Sequence, residues 1–199
     1  LIITAPSVAY QVVLTNGDTI LVDNPSMLPS PNEVQQIQEP MLNLTIVAPS
    51  RHVGAIMELM HSRRSEYKRV EYIQGIGGND GAESDTDQSR VMMEYTMPLS
   101  ELLADFFNQL KSRTQGYASL DYNFIGYQTA PLVKIDVLVN HLPVEALSMI
   151  VHREQSVFLG RAVVQKLHST IPRQLFEVPI QAAIGSRVVA RETVRAMRK

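Results

Sequence analysis

The stretch MLNLTIVAPSRHVGAIMELM, residues 41–60, changes its hydrophobic period near its middle. Over residues 42–46, leucine and isoleucine alternate with other residues, which is the pattern of a half-buried strand. Over residues 53–60 the apolar residues recur at helical spacing instead, behind Ser50 as a candidate N-cap. The stretch therefore predicts a strand that leads directly into an amphipathic helix.

The same sequence of patterns returns further along the chain. Residues 72–73 belong to a predicted second strand, and the alternation over residues 91–97 predicts a third. A helix capped by Ser100 and a strand over residues 120–124 follow. The order strand, helix, strand, strand, helix, strand predicts an α+β fold, a ferredoxin-like βαββαβ domain over residues 39–130. Because this fold serves many functions, it identifies none by itself.

Two further segments precede this domain. Residues 1–23 predict a β-hairpin whose turn is Asn16-Gly17, because both central positions of such a two-residue turn need positive φ. Residues 24–40 contain four prolines and two asparagines. That composition predicts a linker between domains.

The last third of the chain predicts a second, smaller α+β domain. Alternating apolar residues over 133–139 and 176–182 predict two strands, and residues 155–170 between them have helical spacing. Gly185-Ser186 then introduces a final helix, which we expect from about residue 187 onward.

Charge is distributed unevenly along the chain. Residues 1–130 carry a net charge of −7, whereas residues 131–199 carry +5. The basic last third is expected to meet a polyanion, the alternative being chance segregation of charge. A content of 45% hydrophobic and 19% charged residues is typical of a globular protein, and no apolar run approaches the roughly 18 residues of a membrane span. The absence of cysteine from the sequence excludes disulfides and thiolate metal sites.

The predicted final helix, SRVVARETVRAMRK at 186–199, carries the strongest chemical signal. Its arginines are spaced four, four and three residues apart, so they would line one helix face. Guanidinium forks match phosphate oxygens, and only Glu192 interrupts the positive charge, which favours RNA contact over a solvated helix face. The candidate RNA-binding residues are Arg187, Arg191, Arg195, Arg198 and Lys199, with Arg153, Arg161, Lys166 and Arg173 extending the patch.

The remaining motifs indicate neither a catalytic nor a metal site. An acidic stretch from Asp85 begins like a calcium loop, but Arg90 stands where that loop requires Gly and Thr96 where it requires Glu. The five histidines lack zinc-site spacing, and the sequence contains no nucleophile elbow and no P-loop. We therefore assign no catalytic residue, metal ligand or cofactor to this chain.

Six long strings carry a resemblance to a known family. They are LIITAPSVAYQV (1–12), DNPSMLP (23–29), DFFNQLKSRTQGYASLDYNFIGYQ (105–128), LVKIDVLVN (132–140), VEALSMIVHRE (144–154) and IPRQLFEVPIQAAIGSRVVARETVRAMRK (171–199). Together and in this order they resemble the LepA (elongation factor four) family of translational GTPases. The resemblance spans nearly the whole chain apart from residues 74–90, and the last string is its most specific part.

The resemblance implies a domain organisation and a set of partners. Residues 1–38 would be the end of the third domain plus a linker, 39–130 an elongation-factor-G-like fifth domain, and 131–199 the truncated start of the LepA-type C-terminal domain. The implied partners are the ribosome, through ribosomal RNA, and tRNA, with the fragment monomeric. The implied location is the bacterial cytoplasm, with an organelle or a membrane-associated parent left open.

The resemblance also implies an activity, which belongs to the parent protein. The parent would hydrolyse GTP with magnesium and promote back-translocation of stalled ribosomes and fidelity of protein synthesis. We expect this chain to be a piece that lacks the GTPase domain and is inactive alone. It departs from the family at Ser65, where Gly is frequent, at Gln115, where Arg is common, and at Glu154, where Asp is usual. The alternative is a protein–protein interaction module of a regulatory or assembly factor without RNA contact.

Overall fold

A computed structural model describes residues 8–73 and 89–197. These residues form two compact units, one built on Glu39–Gln128 and one on Ala9–Gln38 together with the chain from Thr129 onward. Both units combine helices with antiparallel strands, so the predicted α+β class is confirmed. Most of the loop predicted over residues 74–90, and the start of the hairpin predicted over 1–23, lie outside the described residues.

The helices and strands occupy the following residues. In chain order they are β1 (Tyr10–Leu14), β2 (Thr19–Val22), β3 (Val34–Pro49), α1 (Val53–His61), β4 (Glu66–Ile73), β5 (Arg90–Pro98), α2 (Leu99–Leu103), α3 (Phe106–Arg113), β6 (Ser119–Thr129), β7 (Leu132–Val139), β8 (Leu142–Pro143), β9 (Met149–His152), α4 (Ser156–Thr170), β10 (Val178–Ile184) and β11 (Arg187–Val194). None of the helices in the described ranges is long and apolar enough to span a membrane.

The first unit is the ferredoxin-like domain that the sequence predicts. Strand β5 pairs antiparallel with β3 on one side and with β4 on the other, while β6 pairs with β3. Alternate residues of β3 and β5 point into one core, where Leu44, Met93 and Phe106 are almost fully buried. The core-facing positions of β3 are those whose alternation predicts the strand.

Two predicted helix caps in the first unit are wrong. A 3-10 turn, Ser50–His52, precedes α1, so the N-cap position of α1 falls on His52 rather than Ser50. The N-cap of α2 is Pro98, and Ser100 lies inside the helix, where its Oγ accepts a hydrogen bond from Arg64. The single helix predicted over this region is also divided, because Asp105 adopts a left-handed conformation with φ of 59° between α2 and α3.

The second unit begins with the β1–β2 hairpin. Its turn differs from the prediction, since only Gly17 has positive φ and the loop closes through the Leu14 amide, which donates to the Asp18 carbonyl. The predicted linker over 24–40 is also shorter than expected, because β3 starts at Val34 and pairs with β1. The assignment of residues 1–38 to a third domain stays a prediction.

From β7 onward, the second unit builds a sheet in the order β11, β10, β7, β8, with β9 also paired to β7. Helix α4 packs on this sheet over a core that includes Ile135, Val164 and Ile180. Gly160 permits the close approach, because a Cβ there would lie 3.2 Å from Val189 Cγ2 and 3.3 Å from Ala182 Cβ.

The helix predicted from about residue 187 is wrong, since β11 occupies this segment. Strand β11 pairs antiparallel with β10, from Val178 opposite Val194 to Ile184 opposite Arg187. Gly185-Ser186 forms the two-residue hairpin turn between them, with positive φ at Gly185 (58°) and not at Ser186, as in a type II′ turn. Gly185-Ser186 therefore connects two antiparallel strands instead of preceding a helix.

Candidate nucleic-acid interface

The predicted RNA-binding residues fall on several elements of the second unit. Arg187 and Arg191 belong to β11, and Arg195 follows its last residue. Arg161 and Lys166 lie on α4, Arg153 in the 3-10 turn before it, and Arg173 in the loop after it. Arg198 and Lys199 lie outside the described residues.

A bulge in β11 divides its arginines between the two faces of the sheet. Arg191 stands opposite Gln181, and a strand places the side chains of directly paired residues on one face. Arg187 stands opposite Ile184, which shares the face of buried Ile180. The register shifts by one residue between these two pairs, so the spacing of four does not keep Arg187 and Arg191 on one side.

Arg195 lies on the same face as Arg191, because the two are four residues apart and the register shift comes before both of them. Arg187, Arg191 and Arg195 are all exposed. Across residues 8–73 and 89–197, no carboxylate forms an ion pair with any of the three. Their charge is therefore available to an outside ligand.

Helix α4 brings another arginine to this area. Arg161 and Arg191 line one cleft of about 320 Å³ together with Gln165 and Glu192. The exposed Glu192 stands opposite Ile180 and thus on the other face of the strand from Arg191. Because α4 packs on the Ile180 face of the sheet, Arg161 lies on the same side as Glu192, and the Arg191 side chain lies on the other face. The structure therefore does not join Arg161 to Arg191.

The loop after α4 lies beside the end of β11. The Met197 amide donates a hydrogen bond of 2.8 Å to the Gln174 carbonyl, which places Arg173 and Arg195 on neighbouring stretches of backbone. We refer to Arg173, Arg191 and Arg195 as the arginine surface.

Arg153 lines a different space. It contributes to a cavity of about 790 Å³ within the second unit, whose lining also includes Pro31, Ile37 and Lys134. Lys134 Nζ lies 3.1 Å from Asp136 Oδ1, so part of the positive charge there is neutralised within the chain. The structure therefore does not join Arg153 to the arginine surface.

An ordered cluster in the first unit is not predicted from the sequence. The Arg51 guanidinium lies 5.2 Å from the centre of the Tyr117 ring, and the imidazole of His52 stacks on that ring at 6.2 Å. Arg51 Nε also donates to His52 Nε2 at 3.2 Å. Since Tyr117 is 66 residues away in sequence from Arg51, no local pattern could have revealed the cluster.

Comparisons with known proteins match the two parts of the chain separately. The model of the family described as "Elongation factor G C-terminus" matches residues 36–138. The model described as "GTP-binding protein LepA C-terminus" matches residues 139–199. The two matches adjoin and together cover residues 36–199.

Curated relatives align along the whole chain. It is 52% identical to an elongation factor 4 of Desulfitobacterium hafniense, 50% identical to that of Acetivibrio thermocellus and 49% identical to that of Bacillus cytotoxicus, each over all 199 residues. The chain spans 31% of the length of these relatives. From these matches, the chain belongs to the LepA (elongation factor four) family and corresponds to the C-terminal portion of its members.

Proposed function

We propose that this chain is the ribosome- and tRNA-binding portion of a LepA-type translation factor, and that the arginine surface holds RNA phosphates. The observation that carries the proposal is the exposure of Arg191 and Arg195 without an ion pair among the described residues. Arg173 supports it from the loop after α4, because a hydrogen bond places that loop beside the backbone that follows Arg195. Contacts of this kind position RNA without selecting its sequence.

The activity of the whole protein extends the same proposal. We infer that the parent binds GTP and magnesium, hydrolyses the nucleotide and promotes back-translocation of stalled ribosomes in the bacterial cytoplasm. The support is the family of the chain and the name elongation factor 4 that its bacterial relatives carry. The arginine surface would then help to hold tRNA on the ribosome while the parent acts.

Charge reversal tests the arginine surface directly. In the complete chain, Arg191→Glu combined with Arg195→Glu should weaken tRNA binding strongly, measured by filter binding. Each phosphate contact contributes roughly 0.9 to the slope of log K against log salt in duplex nucleic acid. The variant should therefore have a slope that is shallower by about 2 than that of the unmodified chain.

A matched control separates local contact from net charge. Arg90→Glu with Lys111→Glu reverses two exposed cations in the first unit and changes the net charge equally. This control should retain most of the tRNA affinity. If both variants lose the same affinity, the effect is one of overall charge, and the arginine surface is not the binding site.

A protein-binding role is the second candidate function, and one surface favours it. Strand β6 pairs only with β3 among the described strands, and it exposes Tyr122, Phe124 and Ile125 with Asp121 as its one charged residue. The other edge, β4, carries four charged residues, which discourage edge pairing. Gel filtration of the unmodified chain and of Phe124→Lys tests this role, because a self-associating edge would elute early only in the unmodified chain.

A further inference from the structure

We propose that the loop of residues 171–177 carries an aromatic platform, centred on Phe176, that stacks on an unpaired RNA base beside the arginine surface. The inference rests on the proposed RNA-binding function and deepens it, because it adds a base contact to a site otherwise built for phosphates. Such a contact would favour RNA with a single-stranded segment over a continuous duplex.

Hydrogen bonds at one end of the loop and strand pairing at the other fix the backbone around Phe176. At one end, the Met197 amide donates to the Gln174 carbonyl at 2.8 Å, and Gln174 Nε2 donates to the Pro172 carbonyl at 3.2 Å. At the other end, Val178 pairs with Val194 as the first residue of β10. Phe176 thus lies between two anchored positions, so that stacking would order little additional backbone.

The loop exposes apolar side chains that the fold does not use. Leu175 is 83% exposed and Phe176 58%, and Met197 beside them is 52% exposed. Two residues further on, Val178 is the first residue of β10, is only 5% exposed and belongs to the core. Burial therefore stops abruptly at the start of β10, which leaves an apolar patch on the surface. A patch of this kind commonly marks an interaction site.

The charges around this patch favour RNA as its occupant. Arg173 precedes the patch in the loop and Arg195 lies on the adjoining backbone, both exposed and without an ion pair among residues 8–73 and 89–197. Glu177 is the one carboxylate in the loop sequence. Exposed aromatic and arginine side chains on adjoining segments have the composition of a surface that stacks bases while it holds the backbone.

A pair of RNA hairpins tests the proposal in the complete chain. One hairpin ends in four unpaired nucleotides, and the other has the same stem with a blunt end. Phe176→Ala should bind the first about tenfold more weakly, because a stacked base contributes on that scale, and bind the blunt hairpin as before. Phe176→Trp should retain the affinity, and the salt dependence should stay unchanged, since stacking releases no counterions.

Phe158→Ala is the matched control, because Phe158 is 74% exposed on α4 and outside the platform. It should bind both hairpins like the unmodified chain. Circular dichroism would verify that each variant is folded, which the exposure of both side chains leads us to expect.

Three results would overturn the platform. The first is equal affinity of Phe176→Ala and the unmodified chain for the hairpin with unpaired nucleotides. The second is an equal loss of affinity for both hairpins, and the third is a loss of ribosome binding with both RNA affinities intact. The last result would indicate a protein partner instead. The proposed function fails differently, since RNA binding would then survive the reversal of Arg191 and Arg195.

Discussion

Replacing Arg64 with alanine should destabilise the first unit by about 3 kcal/mol. The Arg64 guanidinium makes a two-pronged contact with Glu39 of β3, at 2.6 Å and 2.9 Å. Its Nε donates to Glu101 of α2 at 3.0 Å, and its Nη2 also donates to Ser100 at 3.2 Å. One side chain thus connects the segment after α1 to a central strand and to a second helix.

The magnitude follows from the burial of the partners. The side chains of Glu39 and Glu101 are 5% and 9% exposed, so alanine would leave Glu39 buried without its cation. Removing one member of a buried ion pair costs about 3 to 5 kcal/mol. The lower end applies here, because the Arg64 side chain is 21% exposed and Arg63 stays 3.5 Å from Glu101.

The pKa of Arg64 agrees with a pair that is favourable in the folded state. Burial acts to lower this pKa, but the hydrogen bond and the attraction to Glu39, followed by those to Glu101, outweigh it and raise the pKa above its usual value. A basic group whose pKa is raised in the folded state contributes its full stabilisation at any pH below its unfolded-state pKa. That stabilisation is lost only as pH rises through the folded-state pKa. Because Arg64 stays charged at ordinary pH, the prediction holds across the neutral range.

Urea unfolding combined with hydrogen exchange in β5 would measure the effect in the first unit. Arg69→Ala is the matched control, because Arg69 pairs with Glu94 at 2.7 Å on the surface, where solvent screens the charges. The double variant Glu39→Leu with Arg64→Met should recover most of the loss, since it removes Glu39 together with its cation and leaves Glu101 with Arg63 at 3.5 Å. A loss for Arg64→Ala no larger than for Arg69→Ala would refute the reasoning.

Three further substitutions test other parts of the fold. Burial, followed by the neighbouring Tyr67, raises the pKa of the Tyr95 phenol, so the stability of the folded state should fall as pH rises above the usual value of 10.0. Melting curves should show a smaller loss of stability at alkaline pH for Tyr95→Phe than for the unmodified chain, and an equal loss would contradict the assignment. Gly160→Val should lower stability by about 1 to 3 kcal/mol in urea unfolding, because even a Cβ at this position meets Val189 and Ala182 at 3.2 to 3.3 Å. Gly185→Ala should cost about 1 kcal/mol through its φ of 58° alone, since nothing lies within 4 Å of the added Cβ, and an unchanged melting temperature would contradict this.

The first unit could be predicted from sequence because one physical signal dominates it. Residues such as Leu44, Met93 and Phe106 are buried on one side of each element. The spacing of hydrophobic residues along the sequence therefore matches the periodicity of the strand or helix that contains them. The two predicted helix N-caps were wrong for a different reason. Ser50 and Ser100 are common cap residues, but Pro98 and a 3-10 turn determine where the helices begin. The Arg64 contacts were also beyond prediction, because they join residues 25 and 37 positions apart.

The final segment was mispredicted because its charge spacing fits two structures. A repeat of four residues matches a helix turn approximately, but four is also even, and even spacing keeps side chains on one face of a strand. The residues between the arginines decide the matter. Val188, Val189 and Val194 are β-branched and favour a strand, and Gly185-Ser186 is a hairpin signal. Only the bulge that separates Arg187 from Arg191 leaves no trace in the sequence.

The change from helix to strand alters what the arginines can explain. Charged residues on the edge strand β11 would also protect the sheet from pairing with other chains, and that need could account for Arg187 and Arg191 without any ligand. It does not account for Arg173 and Arg195, which lie outside β11 yet on neighbouring stretches of backbone. Two exposed like charges on adjoining segments repel each other, so the folded chain alone gains nothing from bringing these arginines together. An anionic ligand removes that repulsion, and for this reason phosphate binding explains this pair where edge protection does not.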